Sequence, residues 1–128
     1  MTCGEIPDTK ARRAIEMSKE TGKEYGFSMC RRRIGPGWIT SRMASGTDDQ
    51  LDVPEPGILS WGLNCGDEAK IFHTHPPKHT LEPSTGDKAA VDYGPADEIC
   101  ASDFDGDVLC YDGSDELRRC EIPLNNDD

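Results

Sequence analysis

Residues 69–77 read AKIFHTHPP, and they carry the strongest structural and chemical signal in the chain. The run from Ala69 to His75 predicts a β-strand, and Pro76-Pro77 predicts its end because proline cannot donate to a sheet ladder. Side chains alternate between the two faces of a strand, so His73 and His75 are expected on the same face, close together. Two neutral imidazoles that converge in this way favour a zinc site.

Residues 83–87 read PSTGD and supply a candidate for the third ligand. Pro83-Ser84 predicts the start of a helix that continues to about Tyr93, with Ser84 as its cap. Asp87 then lies on the first turn, from which its carboxylate can reach back to the two histidines. Two imidazoles and one carboxylate leave a fourth zinc position open for water, as a catalytic site requires. Zinc would lower the pKa of that water to about 7.

Hydrolysis also needs a group that carries protons and a donor for the oxygen that becomes negative. We predict Glu24 as the acid/base, because it begins a predicted strand that can lie beside the metal. Glu16 and Glu20 are the alternatives, but on the preceding predicted helix they would face solvent. Ser84 is predicted to hydrogen-bond the oxyanion.

Together, Glu24, the segment HTHP at 73–76 and the segment PSTGD at 83–87 resemble the JAMM motif of the JAB/MPN metalloproteases. The pattern of that family is a distant Glu, then H-[ST]-H-P, a loop, and S-x-x-D. The segment EYGF that starts at Glu24 also resembles the opening strand of the family, and residues 96–111 resemble the strands that follow the motif.

The resemblance implies a cytidine-deaminase-like α/β sandwich, in which a mixed sheet is flanked by helices, and zinc-dependent hydrolysis of a peptide or isopeptide bond. By the same implication His73, His75 and Asp87 bind zinc, Glu24 is the acid/base and Ser84 stabilises the oxyanion. The implied substrate is a protein or peptide, such as one that carries a ubiquitin-like modifier or one that is processed in a prokaryotic or phage pathway.

The whole chain, 1–128, is expected to form one α+β domain, with a core over about 9–122 and a polar tail at 125–128. The order helix, strands, helix, strands favours two or three layers around a sheet over a run of βαβ units. Thr9 is the predicted cap of the first helix, and Gly22 its predicted end. The predicted elements, besides the strand and helix above, are a helix over 9–21 and strands over 24–33, 38–42, 98–101, 108–111 and 116–122.

Three connecting segments have less regular patterns. Asp105-Gly106 predicts a type I′ turn between the strands at 98–101 and 108–111. The acidic segment 103–107 is interpreted as part of that polar turn, since it lacks the length of a calcium-binding loop. Residues 44–57 predict an irregular surface loop, and residues 58–63 form an apolar segment of ambiguous type.

The net charge of −11 argues against binding to a nucleic-acid backbone, because phosphates would be repelled. The one basic cluster, Arg31-Arg32-Arg33, is interpreted as a solvated strand end. No apolar stretch approaches the length of about 18 residues that a membrane helix needs. The N-terminus has no secretory signal pattern, so the cytoplasm is the expected location.

Six cysteines stand at widely spaced positions, 3, 30, 65, 100, 110 and 120, with no C-x-x-C pair. This spacing argues against a zinc ribbon or finger. In a reducing compartment we expect them to be free thiols that act as small buried apolar residues.

Several alternatives stay open from the sequence. Ser84 and Asp87 alone fit a helix capping box, a role compatible with metal binding. A non-catalytic binding module on the same fold is the main functional alternative, and an assembly factor of a phage or virus is another setting for the same chemistry. A zinc deaminase is disfavoured, since H-x-E and P-C-x-x-C are absent. Trp38 and Trp61 are expected to serve in packing, and His79 to lie at the surface.

Overall fold

The computed structural model describes residues 3–4, 6–46, 65–77, 80–94 and 96–124. The helices within these ranges are α1 (Asp8–Thr21) and α2 (Thr85–Asp92). The strands, in chain order, are β1 (Tyr25–Arg32), β2 (Trp38–Thr40), β3 (Ala44–Ser45), β4 (Cys65–Thr74), β5 (Glu98–Ser102), β6 (Asp107–Tyr111) and β7 (Arg118–Glu121). The predictions for 58–63, Trp61, His79, the tail 125–128 and most of the 44–57 loop fall outside the described residues.

Within the described ranges, each predicted helix and strand is present, with shifts of a few residues at the ends. The largest shift is in β4, which begins at Cys65, four residues before its predicted start at Ala69. The predicted irregular loop also begins differently, because Ala44–Ser45 pairs with β1 as a short strand.

Helix α1 has a well-formed cap at its C-terminal end but no side-chain cap at its N-terminal end. The prediction that Thr9 caps the helix is wrong, since α1 begins at Asp8 and its N-cap, Pro7, makes no side-chain cap hydrogen bond. At the other end Gly22 adopts the left-handed conformation with φ of 74°, as predicted, and its N–H donates to the carbonyl of Ser18.

The strands form one mixed sheet in the order β2-β1-β4-β5-β6-β7, with β3 also paired to β1. Strands β4 and β5 are parallel, with α2 in the connection between them, and the other neighbours are antiparallel. Over the described residues the architecture is therefore α+β, a mixed open sheet with two helices, in agreement with the α+β class predicted from the sequence.

The alternation along β4 shows that the helices lie on opposite faces of this sheet. Thr74 on β4 contacts Ser18 of α1, and Phe72 on the same face belongs to the hydrophobic core that α1 covers. His73 and His75 point to the other face, where they meet Asp87 of α2. The apolar core and the polar cluster thus lie on opposite faces of the same strand.

The hairpin between β5 and β6 does not contain the predicted type I′ turn. That turn needs positive φ at both central residues, whereas Gly106 has φ of 90° and no described non-glycine residue has positive φ. The Asp103 carboxylate instead accepts from the backbone N–H groups of Asp105, at 2.9 Å, and Asp107, at 3.0 Å. The interpretation of 103–107 as a polar hairpin turn is confirmed.

The expectation of six free thiols is wrong, because all six cysteines form disulfides. The pairs are Cys3–Cys120, Cys30–Cys65 and Cys100–Cys110. Cys100 and Cys110 are direct partners in the register of β5 and β6, a relation that depends on strand pairing and is not visible in the spacing. Disulfides persist mainly in oxidising environments, so these pairs do not support the predicted cytoplasmic location.

Neither described helix has both the length and the hydrophobicity that a membrane crossing requires. The basic cluster lies as predicted, with Arg31, Arg32 and Arg33 exposed at the end of β1. Arg31 forms an ion pair with Glu68 at 2.8 Å and stacks on Trp38, with 4.7 Å from its guanidinium carbon to the ring centroid.

Disulfide removal gives the first test of the fold. The double variant Cys3→Ala/Cys120→Ala is expected to lose about 3–5 kcal/mol of unfolding free energy, because the unfolded chain regains the entropy of a long loop. The pair is separated by 117 residues, whereas Cys100 and Cys110 are separated by 10, so Cys100→Ala/Cys110→Ala is the short-loop comparison. Urea unfolding of oxidised protein measures both. Six reactive thiols in unfolded, non-reduced protein, or full stability of both variants, would contradict the disulfide framework.

Candidate metal centre

Strand β4, the residue that follows it and the first turn of α2 bring His73, His75 and Asp87 together on one face of the sheet. The Nε2 atom of His73 lies 3.3 Å from Oδ1 of Asp87, and the Nε2 atom of His75 lies 3.4 Å from Oδ2. The two imidazole rings are nearly perpendicular, with centroids 4.6 Å apart. The three residues predicted as ligands therefore form one cluster, and each can offer an atom to a shared metal ion.

The Nδ1 atom of each imidazole, which is the ring nitrogen that does not face Asp87, has a hydrogen-bond acceptor or a carboxylate nearby. The Nδ1 atom of His75 lies 2.9 Å from the carbonyl oxygen of Thr80, which can only accept, so Nδ1 carries the hydrogen. The Nδ1 atom of His73 lies 3.5 Å from a carboxylate oxygen of Glu24. Partners of this kind fix the tautomer of a metal-binding histidine and leave Nε2 with a lone pair. Both Nε2 atoms face Asp87.

The donor set fits a zinc ion. Nε2 of His73 is buried and makes no hydrogen bond of good geometry within the described structure, although an oxygen of Asp87 lies 3.3 Å away. Coordination to a metal would satisfy this nitrogen. The two Nε2 atoms lie 3.3 Å and 3.4 Å from different oxygens of Asp87. One potential ligand atom from each of the three residues lies within 4.8 Å of the other two, so the three could share one ion. Two imidazoles and one carboxylate are three ligands, as in catalytic zinc sites that keep one position for water.

Asp87 is held in place by the start of α2. Its N–H donates to Oγ of Ser84 at 3.1 Å, and its Oδ2 accepts from the N–H of Ser84 at 3.0 Å, which completes a capping box. Asp87 is therefore both a member of the capping box and a proposed metal ligand. The carboxylate that would bind metal is oriented by the helix terminus, whose positive dipole end also favours its negative charge.

The carboxylates determine the charge state of the metal-free cluster. Burial alone would lower the pKa of His73, but the neighbouring carboxylates of Asp87 and Glu24 outweigh burial and raise this pKa to about 9. For Asp87, burial would raise the pKa, but the neighbouring histidines and Ser84 hold it well below its usual range. Without metal, His73 is therefore protonated at neutral pH, and a metal ion would replace that proton.

Of the three glutamates considered as the acid/base, Glu24 is the one that lies at the cluster. Its side chain is buried just before β1 and contacts His73. Glu16 and Glu20 are exposed on α1, on the other side of the sheet. The carboxylate of Glu24 approaches the imidazole at Nδ1, while Asp87 approaches at Nε2, so the ring of His73 lies between the two acids.

A second group, Glu98, Cys100 and Cys110, also has potential ligand atoms close together. The two sulfur atoms are joined in a disulfide and cannot act as thiolates. The Glu98 carboxylate is also paired with Lys70 at 3.0 Å and with Arg118 at 3.0 Å. Two cations beside the carboxylate oppose a metal cation, so the His-His-Asp cluster is the better metal site.

Four residues that support the cluster were not identified from the sequence. Gly26 pairs directly with His73 in the register of β1 and β4, and a Cβ at this position would lie 2.8 Å from Cβ of His73 and 2.4 Å from the Phe72 carbonyl oxygen. A glycine inside a strand pattern is a signal of close approach that was available. Thr80 and the buried Ser18 and Thr74 gave no such signal, because their roles depend on tertiary contacts.

Comparison of the chain with models of known protein families, with curated proteins and with solved structures gives no match. The resemblance to the JAMM motif therefore depends on the residues of this chain and on the geometry described above.

Gly26→Ala is expected to lower the unfolding free energy by about 2 kcal/mol or more and to weaken zinc binding, because the new methyl group displaces His73. Gly86→Ala is the matched control, since its Cβ would have no neighbour closer than 3.8 Å. Thermal unfolding and zinc titration measure the two effects. If Gly26→Ala were as stable as Gly86→Ala and bound zinc equally well, the close packing of β1 against His73 would be wrong.

Zinc binding near neutral pH is expected to release about one proton, because zinc requires neutral His73 and the pKa of this residue is raised to about 9. The affinity should accordingly rise with pH until that value. Calorimetry in buffers with different ionisation enthalpies counts the protons. Glu24→Gln removes one of the two carboxylates that favour the imidazolium, so fewer protons should be released. Equal binding heats in all buffers for the unaltered protein would show that His73 is already neutral.

Proposed function

We propose that this protein is a zinc-dependent metallopeptidase of the JAB/MPN type that hydrolyses a peptide or isopeptide bond. The main support is that one potential ligand atom from each of His73, His75 and Asp87 lies within 4.8 Å of the other two. The Nε2 atoms of the histidines lie 3.3 Å and 3.4 Å from the two carboxylate oxygens of Asp87. The buried Nε2 of His73, which makes no hydrogen bond of good geometry, also supports the proposal, because such an atom is expected where a metal binds.

In this proposal His73, His75 and Asp87 hold the zinc ion. Zinc supplies Lewis acidity, which polarises a carbonyl group and makes water acidic enough to attack it near neutral pH. The rest of the chemistry belongs to side chains of this chain. Thr80 and Glu24 orient the imidazoles through the Nδ1 atoms, and the capping box orients the Asp87 carboxylate.

Glu24 carries protons in the proposed reaction. Its carboxylate is buried beside the cluster, with one oxygen 3.5 Å from Nδ1 of His73, the ring nitrogen that does not face Asp87. It would take a proton from the attacking water and deliver a proton to the leaving amine.

Ser84 would stabilise the oxygen that becomes negative. Its Oγ accepts from the N–H of Asp87 at 3.1 Å, which leaves the hydroxyl hydrogen free to be donated elsewhere. Ser84, Thr85 and Gly86 are all exposed, so the start of α2 is the solvent-facing segment next to the buried cluster. A substrate carbonyl that enters from this side would meet the Ser84 hydroxyl. The proposed substrate is a protein or peptide, with a ubiquitin-like fusion as the first candidate.

Paired substitutions test the ligand and the acid/base separately. Asp87→Asn is expected to lose zinc and turnover together, because a neutral amide is a poor zinc ligand. Glu24→Gln is expected to keep about one zinc per chain but to lose turnover by about a hundredfold or more. Elemental analysis and cleavage of ubiquitin-like reporter fusions, with and without chelator, measure the two properties.

Glu20→Gln is the control for Glu24→Gln, since Glu20 is exposed on α1. Its zinc content and turnover should equal those of the unaltered protein. Normal turnover of Glu24→Gln, or full zinc content of Asp87→Asn, would contradict the assigned roles. A zinc-free, inert protein that still binds a partner would favour the non-catalytic module instead.

A further inference from the structure

Two buried hydroxyl groups connect α1 to the strand that carries the histidines. Thr74 lies between His73 and His75 but points to the opposite face of the sheet, where its Oγ1 donates to Oγ of Ser18 at 3.0 Å. Ser18 in turn donates to the carbonyl oxygen of Lys23 at 2.6 Å, and Oγ1 of Thr74 accepts from the N–H of Tyr25 at 3.0 Å. Both side chains are fully buried.

These hydrogen bonds hold the two peptide groups on either side of Glu24. Ser18 binds the carbonyl of Lys23, in the peptide group before Glu24, and Thr74 binds the N–H of Tyr25, in the peptide group after it. The carbonyl of Glu24 itself accepts from the N–H of Gly46 at 2.8 Å. The backbone torsions of Glu24 are therefore fixed by contacts on each side.

The position of Glu24 in the fold explains why such contacts are needed. Strand β1 begins at Tyr25, and its register with β4 begins at the pair Gly26 and His73. Glu24 thus precedes this ladder, and the Thr74 side chain supplies a bond where the pairing of β1 with β4 does not. Thr74 lies between His73 and His75 in the chain, and both are proposed metal ligands. Thr74 therefore links the position of Glu24 directly to the positions of the two histidines.

We propose that Thr74 and Ser18 are positioning residues that hold the Glu24 carboxylate against the His73, His75 and Asp87 cluster, an inference that rests on the proposed peptidase function. The chemistry requires hydroxyl groups at both positions. Each hydroxyl donates one hydrogen bond and accepts another, which a methyl group of the same size cannot do. Valine at position 74 would leave a buried N–H of Tyr25 without its partner and release the segment that carries Glu24.

The test compares Thr74→Val, which keeps the shape, with Thr74→Ser, which keeps the hydroxyl. Thr74→Val is expected to retain one zinc per chain and a nearly unchanged KM for a reporter fusion, but to lose about tenfold to a hundredfold in kcat. Thr74→Ser should restore most of that loss. Ser18→Ala removes the other hydroxyl and should lower kcat in the same way.

Thr40→Val is the matched control, because its hydroxyl accepts from Nζ of Lys10 at 3.0 Å and lies outside this chain of bonds. Its kcat should be that of the unaltered protein. The double variant Thr74→Val/Glu24→Gln separates positioning from general damage. If Thr74 acts through Glu24, the double variant should be no slower than Glu24→Gln alone, whereas independent damage would multiply the two losses.

The visible spectrum of cobalt-substituted protein gives a second measurement that needs no substrate. Glu24→Gln should alter this spectrum, because Glu24 contacts a ligand, and Thr74→Val should alter it in the same direction. Full kcat in Thr74→Val, multiplied losses in the double variant, or a cobalt spectrum that responds to Glu24→Gln but not to Thr74→Val would each overturn the inference. Absence of turnover in the unaltered protein would instead refute the proposed function, and the cobalt spectra would then decide the positioning role alone.

Discussion

The antiparallel pairing of β1 with β4 is the constraint on which the rest of the structure depends. It puts Gly26 opposite His73, where the absence of a side chain lets the two strands and the imidazole approach closely. Alternation along β4 then sends His73 and His75 to one face and Phe72 and Thr74 to the other. One short segment consequently builds the apolar core under α1 and the polar cluster under α2. A slip of one residue in this register would exchange the two faces and destroy both.

The charges of the cluster's side chains determine which ions it can bind. Two carboxylates and two imidazoles are gathered in a largely buried place, and without metal the pair of acids keeps His73 protonated. A divalent cation in that position would replace the proton and compensate the acids directly. The helix terminus and the carbonyl of Thr80 orient the donors without adding further charge. The charges of the cluster therefore suit a bound cation, which an ordinary capping box does not require.

The local patterns of the sequence were sufficient for the elements and for much of the site. The i, i+2 spacing of His73 and His75 and the capping pattern of Ser84 and Asp87 predicted which side chains meet, because strand alternation and helix starts are local properties. The disulfides were not predictable in the same way, since Cys100 and Cys110 become partners only through the register of β5 and β6. The hydroxyl contacts of Ser18 and Thr74 likewise join residues separated by 56 positions in the chain.

X-ray absorption at the zinc edge of the purified protein is the decisive measurement for the metal centre, because it identifies the donor atoms around the metal. We expect about one zinc per chain, with nitrogen and oxygen donors at about 2.0–2.2 Å, two of them imidazoles, and no sulfur at about 2.3 Å. A sulfur shell at that distance would place the metal on the cysteines instead, and a protein that binds no zinc would contradict the metal centre altogether.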